Sequence, residues 1–324
     1  MVLAWLMLWP LGWAGAEASR PSLRLGEDGG VIVLSAGGIL AWNRGGEVQV
    51  MRDDGWEPLF RVRATGEGRE AVKIIDAIGL SGRALLLAEY ARHGDWSAPR
   101  AAVFELGSAA NVRQLSRLPA AQIFVAMTRW KDRAWIQDVD GEIRELLSDG
   151  QLGQRISATS RAGTLDVGAS RLLGGPADSP VFYVSPDRTK ANDHPGYCYA
   201  DGRSKWRLTD GCEVAPTVCG DHFITTGADR MTVVVRSVAD ARPLATWQTD
   251  REPLIVCDED GGVLIGRQTV AKFSLPDLTR RWVFRLKSGR AEAIAGVQGR
   301  ILIWTDGESI VWVPATVTGA RPAR

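Results

Sequence analysis

Three histidines and four cysteines are all that 324 residues contain, so a site built from clustered imidazoles or thiolates has little to draw on. Neither sign of charge dominates. Against 39 Lys and Arg stand 38 Asp and Glu, a formal +1, which excludes the strong basic field that holds a phosphate backbone and removes nucleic acid from the expected partners. Beyond the first 13 residues no apolar run approaches the ~20 residues of a spanning helix. Nor does any stretch of ten or more residues carry a 3.6-residue apolar period, so a helical core is excluded as well. Catalytic signatures are also missing: there is no G-x-S-x-G elbow, no P-loop and no H-E-x-x-H. Ser185-Pro186-Asp187 begins like a sialidase Asp box but lacks the Gly-x-Thr-Trp that completes it.

Turn formers and tryptophan are plentiful: 36 Gly, 15 Pro and 13 Trp against 7 Phe. Apolar residues at 45% and charged residues at 24% are ordinary for a chain with a real core. The length suits two domains or a single repeat fold. Residues 2 to 13, VLAWLMLWPLGW, have the length of a signal-peptide apolar segment, and Ala14-Gly15-Ala16 supplies the small-residue cleavage pattern. The segment lacks a basic residue before it, and an uncleaved anchor is the other reading. With cleavage after Ala16, the mature protein is periplasmic or secreted, and the expected organisation is a signal peptide at 1–16, one folded unit over 17–315 and a polar tail at 316–324.

Short apolar runs separated by turn residues recur in sets of four along the mature chain, an all-β pattern. The clearest set is PLIV (253 to 256), VLIG (263 to 266), VAKFSL (270 to 275) and RRWVFRL (280 to 286). The second run of each set begins at Ile39, Ala84, Ala134, Val181, Phe223, Val263 and Ile301, spacings of 38 to 50 residues. A period in the 40s with four strands per repeat predicts a seven-bladed β-propeller of four-stranded antiparallel blades. Weak marking of blades one and three leaves counts of six or eight open, and a two-sheet sandwich is the broader alternative. The last set has only three strands, so SLRLGE at 22 to 27 is expected to pair near Ile310 to Val313 as the missing outer strand, closing the ring and hiding an open edge.

GYCYADGRSKWRL (196 to 208), VVVRSVADARPLATW (233 to 247) and VAKFSLPDLTRRW (270 to 282) place Trp206, Trp247 and Trp282 at equivalent points. These sets resemble the repeat of the quinoprotein-type (PQQ-like) propellers. From the residues alone, each Trp is expected to fill space between adjacent twisted sheets. The quinone cofactor and calcium of the dehydrogenases in that family do not carry over: the chain is shorter, the adjacent Cys pair is absent, and no acidic constellation matches. In size the resemblance is to the non-catalytic members, including the periplasmic propeller that assists outer-membrane protein assembly. No cofactor and no metal are therefore expected.

If the first strand of each blade descends from a top face, the connections between second and third strands lie on top. Two look long: 89 to 100 in blade two and 185 to 198 in blade four. They carry His93, Asp95, Trp96, Asp193, His194 and Tyr197, the candidate partner-binding residues. Asp138, Asp140 and Glu142, and likewise Asp258, Glu259 and Asp260, are expected to be solvated turns. The functional expectation is a monomeric binding scaffold recognising a protein, peptide or glycan. The alternative is a hydrolase or lyase using His and Asp on the same face. Among the pairings of Cys198, Cys212, Cys219 and Cys257, joining Cys212 to Cys219 would bridge opposite ends of an inner strand. This favours Cys198–Cys212 and Cys219–Cys257 in an oxidising compartment; four free thiols are the alternative.

Overall fold

The computed structural model describes residues 17–19, 25, 29–33, 39–43, 47–52, 55–61, 70–81, 83–92, 95–107, 112–119, 122–157, 170–184, 197–200, 206–212, 214–258, 260–297, 299–306 and 310–314. The secondary structure of these residues consists of strands and turns. They form a β-propeller whose four-stranded antiparallel sheets number seven. Blade one is β2 (Gly30–Val33), β3 (Ile39–Trp42), β4 (Glu47–Arg52) and β5 (Gly55–Arg61). Blade two is β6 (Glu70–Leu80), β7 (Arg83–Arg92), β8 (Asp95–Gly107) and β9 (Val112–Arg117). Blade three is β10 (Phe124–Trp130), β11 (Arg133–Asp138), β12 (Glu142–Leu146) and β13 (Leu152–Ser157). Blade four is β14 (Ser170–Gly174), β15 (Val181–Val184), β16 (Tyr197–Ala200) and β17 (Arg207–Leu208). Blade five follows as β18 (Thr217–Cys219), β19 (His222–Thr226), β20 (Thr232–Ser237) and β21 (Pro243–Gln248). Blade six is β22 (Leu254–Cys257), β23 (Val263–Gly266), β24 (Thr269–Ser274) and β25 (Thr279–Arg285). The last sheet combines β26 (Ala291–Val297), β27 (Arg300–Thr305) and β28 (Ile310–Pro314) with β1 (Glu17–Ser19) from the opposite end of the chain.

The strand that completes the last sheet is not the expected one. Glu17, Ala18 and Ser19 pair with Trp312, Val311 and Ile310, so the outer position is filled five residues earlier than SLRLGE. Of residues 22–27 only Leu25 is described. It is buried with Ile39, Ala41, Leu302 and Trp304 in the core between the first and last sheets. An apolar side chain used there is not available to an outer strand. The expected signal segment 1–16 and the tail from 316 lie outside the described residues.

Each sheet is apolar on both faces because its middle strands are apolar at successive positions: ILAW, VFYV and VLIG are buried throughout. A strand buried on both faces needs a neighbour on each side, and each blade interface has its own core. Leu40, Trp42 and Val48 pack on Ile74, Leu86 and Phe104 between blades one and two, while Val233 and Val235 pack on Ile265 and Phe273 between five and six. The innermost strands touch in chain order, and β26 touches β2.

The repeated Trp residues fill the expected spaces. Trp206 stacks on Phe223 of the next blade at 4.8 Å and donates Nε1–H to Val238 O at 2.6 Å. Trp247 meets Phe273 at 4.6 Å, and Trp282 packs with Ile294 and Ile301 of the last sheet. Asp258 departs from the solvated-turn expectation. Its side chain is only 7% exposed and pairs with Lys272 Nζ, which also holds Asp260, at 2.5 and 2.7 Å. Its carboxylate takes the space a side chain on Gly296 would need, so glycine is what allows blade seven to approach this turn.

Both expected disulfides are present. Cys198–Cys212 has a Cα separation of 6.2 Å within blade four, and Cys219–Cys257, at 5.5 Å, links the inner strands of blades five and six. Their sequence separations are 14 and 38 residues, for which loop entropy gives about 3 and about 4 kcal/mol. Replacing Cys219 and Cys257 by Ser should therefore lower Tm more than replacing Cys198 and Cys212. The reverse order in paired thermal melts would count against cross-blade stapling. Removal of residues 17 to 19 should likewise lower Tm by a few degrees, as expected for a loss of about 1 to 2 kcal/mol, and an unchanged melt would show that β1 contributes nothing.

Candidate functional site

Antiparallel pairing places the connections β7–β8, β11–β12 and β15–β16 at one end of their blades, together with the chain entering β6 and β10. This is the top face of the sequence reading. The expected loop at 89 to 100 is mostly strand: β7 continues to Arg92, β8 starts at Asp95, and these two residues are partners. Only His93 and Gly94 lie between them. Turn chemistry in HGD suggested a long loop, but the residues on either side satisfy their backbone groups in a ladder. With 11, 10 and 13 residues, β6, β7 and β8 are longer than every other described strand, the rest having two to seven. The added pairs, Glu70↔Arg92 through Ile74↔Ala88, lengthen blade two at its top by roughly 15 Å at ~3.4 Å per residue.

Asp95 and Trp96 therefore lie at the start of β8, and Tyr197 opens β16. His93, Asp193 and His194 lie outside the described residues. Tyr197 is buried among Trp130, Trp135 and Phe182, with Tyr199 at 6.0 Å and the Arg207 guanidinium over its ring at 4.1 Å. Its hydroxyl has no hydrogen-bond partner among the described residues. Burial raises its pKa and the Arg207 charge opposes that shift. His222, the third histidine, begins β19 and is paired with Cys219 and Ser237 in the ladder. Among the described residues, no group of three or more His, Cys, Asp or Glu could hold a metal ion.

Residues outside the candidate partner-binding set hold neighbouring blades together. A register shift between Ile74 and Asp76 turns the Asp76 carboxylate toward blade three. There Oδ2 accepts the Met127 N–H and Oδ1 accepts the Ala77 N–H, each at 2.9 Å, while Arg171 of blade four stands 3.5 Å away. One carboxylate thus connects three blades. Burial raises its pKa, outweighing the lowering by Arg171 and the two N–H groups. Between blades three and four, Thr128 Oγ1–H bonds Leu172 O at 2.8 Å and Trp130 Nε1–H bonds Gly175 O at 3.1 Å. Asp138, expected to be solvated, is buried and accepts the Glu142 N–H at 2.7 Å and Gln122 Nε2–H at 3.4 Å. Sequence alone could not distinguish Asp76 from any acidic residue in an apolar strand. The one local signal is a charge inside the apolar run KIIDAI.

A carboxyl with a higher pKa folded than unfolded makes its largest contribution to stability below the unfolded value, and loses it as pH rises through the folded value. Asp76→Asn should therefore show a smaller decline in Tm than the wild type as pH rises above about 4. An equal or steeper decline in paired melts would mean that the ionised carboxylate is favoured by the fold.

No family model matches the chain, and no curated protein matches it. Solved propellers do. Virginiamycin B lyase from Staphylococcus aureus aligns with TM-score 0.59 at 8% identity, covering 93% of this chain and 99% of the lyase. The WD40 propeller domain of Doa1 aligns at 0.56 with 11% identity, covering 93% and 98%. BamB from Moraxella catarrhalis aligns at 0.50 with 13% identity, covering 91% and 99%. At such identities the likeness shows the architecture alone: this chain shares the β-propeller fold with proteins of different activities.

Proposed function

We propose that the protein is an exported, monomeric binding scaffold: a closed seven-bladed propeller with β1 as its closing outer strand, whose top face recognises a protein, peptide or glycan. The observation that carries this reading is the lengthened β6–β7–β8 sheet of blade two, because it places Asp95 and Trp96 at the far end of a rigid ladder on the top face. Rigid strands present contact residues with less ordering cost than a free loop. Export is supported by the apolar segment and small-residue pattern before Glu17, together with two disulfides, which persist in oxidising compartments. The likeness to BamB and Doa1 on one side and to a lyase on the other supplies the scaffold and not the chemistry.

The alternative, a hydrolase or lyase using His93, Asp95, Asp193 and His194, requires these groups to converge in one concavity. It and the scaffold reading separate in one experiment. Immobilised mature protein should capture a partner from envelope extract. Changing His93, Asp95, Trp96 and His194 to Ala should weaken recovery by about tenfold, the loss of one modest hot spot, with Tm nearly unchanged. Undiminished capture would move the binding face elsewhere, and turnover of an extract component by wild type but not by this variant would favour the enzyme.

A further inference from the structure

Blade three lies between the two blades that carry the candidate residues, and its top edge is unusual in what it leaves uncovered. Ile123, Val125 and Val139 are 46%, 44% and 40% exposed, three of the four large apolar residues exposed among those described. They are adjacent in the fold. Val139 N–H bonds Ile123 O at 2.7 Å, tying the entry of β10 to the β11–β12 turn. Phe124 pairs with Asp138 and Ala126 with Gln137, so the register shift leaves Val125 without a ladder partner. The bulge explains the exposure: Phe124 enters the core while its neighbours on both sides turn outward. The fourth exposed residue, Leu147, follows β12 at the opposite end of the blade.

One unpaired anion stands beside this patch. Glu142 has Arg144 and Arg155 at 3.8 Å and Asp138 is buried under its own hydrogen bonds, but the exposed Asp140 has no cationic partner among the described residues. Burial raises the Asp138 pKa, and the Asp140 and Glu142 charges push in the same direction, against the bond from the Glu142 N–H. Ile123 and Val125 are two positions apart, the spacing at which an extended chain presents successive side chains on one side.

We infer that the top edge of blade three is a docking subsite for an extended segment of a partner protein that sets apolar side chains beside Lys or Arg. The apolar residues meet Ile123, Val125 and Val139, and the cation meets the exposed Asp140. This deepens the scaffold reading and rests on it, since it supplies the ground between blades two and four on the same face. Exposed apolar side chains are the part of such a surface that contributes affinity, and the Asp140 carboxylate selects the partner's charge.

The test is a fluorescence-anisotropy titration of the purified chain with three labelled synthetic peptides in about 0.15 M salt. One alternates Leu and Lys, one Leu and Glu, and one Ser and Lys. The Leu–Lys peptide should bind about tenfold more tightly than either other peptide, and Ile123→Ser with Val139→Ser should remove that margin. Asp140→Asn should narrow the preference for Lys over Glu, while Leu147→Ser should change nothing. Equal affinity for the three peptides, or wild-type binding by the Ile123/Val139 variant, would overturn the assignment. So would a concentration-dependent dimer in sedimentation that the same variant abolishes, which would give the patch to a second copy of the chain. The peptide titration needs no envelope partner, so its failure is distinguishable from failure of the capture experiment.

Discussion

A four-stranded blade of this chain is apolar on both faces and cannot be stable by itself. Its middle strands, ILAW, VFYV and VLIG, are buried along their whole length, which requires a second sheet on either side. The other structural features follow from that requirement. Large aromatic side chains occupy the wedges between twisted sheets, as Trp206 against Phe223 and Trp247 against Phe273 do. β26, β27 and β28 by themselves would leave an edge of the last sheet open, and β1 covers it.

Apolar packing lets sheets slide, whereas polar contacts across blade boundaries have direction. Asp76 connects blades two, three and four, and Lys272 holds two aspartates in a turn against Gly296 of the next blade. The Cys219–Cys257 disulfide does the same covalently between blades five and six. Each contact fixes how one blade sits on its neighbour, and hence where the top-face residues of neighbouring blades stand relative to one another.

Such a frame makes the top face a place where variation is tolerated. Blade two is lengthened there without disturbing its lower half, which keeps the packing of Leu85, Leu87 and Val103 against Met127 and Ile136. Blade three exposes apolar side chains there through a bulge that leaves Phe124 in the core. These departures from the repeat lie at the end of the blades where β8 begins with Asp95 and Trp96, and they distinguish this propeller from a regular one.

The sequence by itself determined the strand sets. The second-strand starts at Ile39, Val181 and Val263 coincide with the first residues of β3, β15 and β23, because a two-sided apolar run bounded by turn residues has few other places to go. It also determined both disulfides, since strand direction constrains which cysteines lie at the same end. Tertiary structure alone decided that Glu17–Ser19 rather than 22–27 closes the last sheet, because the buried role of Leu25 depends on the distant Ile39 and Trp304. It decided likewise that 89 to 100 is mostly ladder, that the side chains of Asp138 and Asp258 are covered, and that Asp76 connects three blades. Pairing and burial of this kind depend on contacts between residues far apart in the chain, and a local pattern of residue types does not contain them.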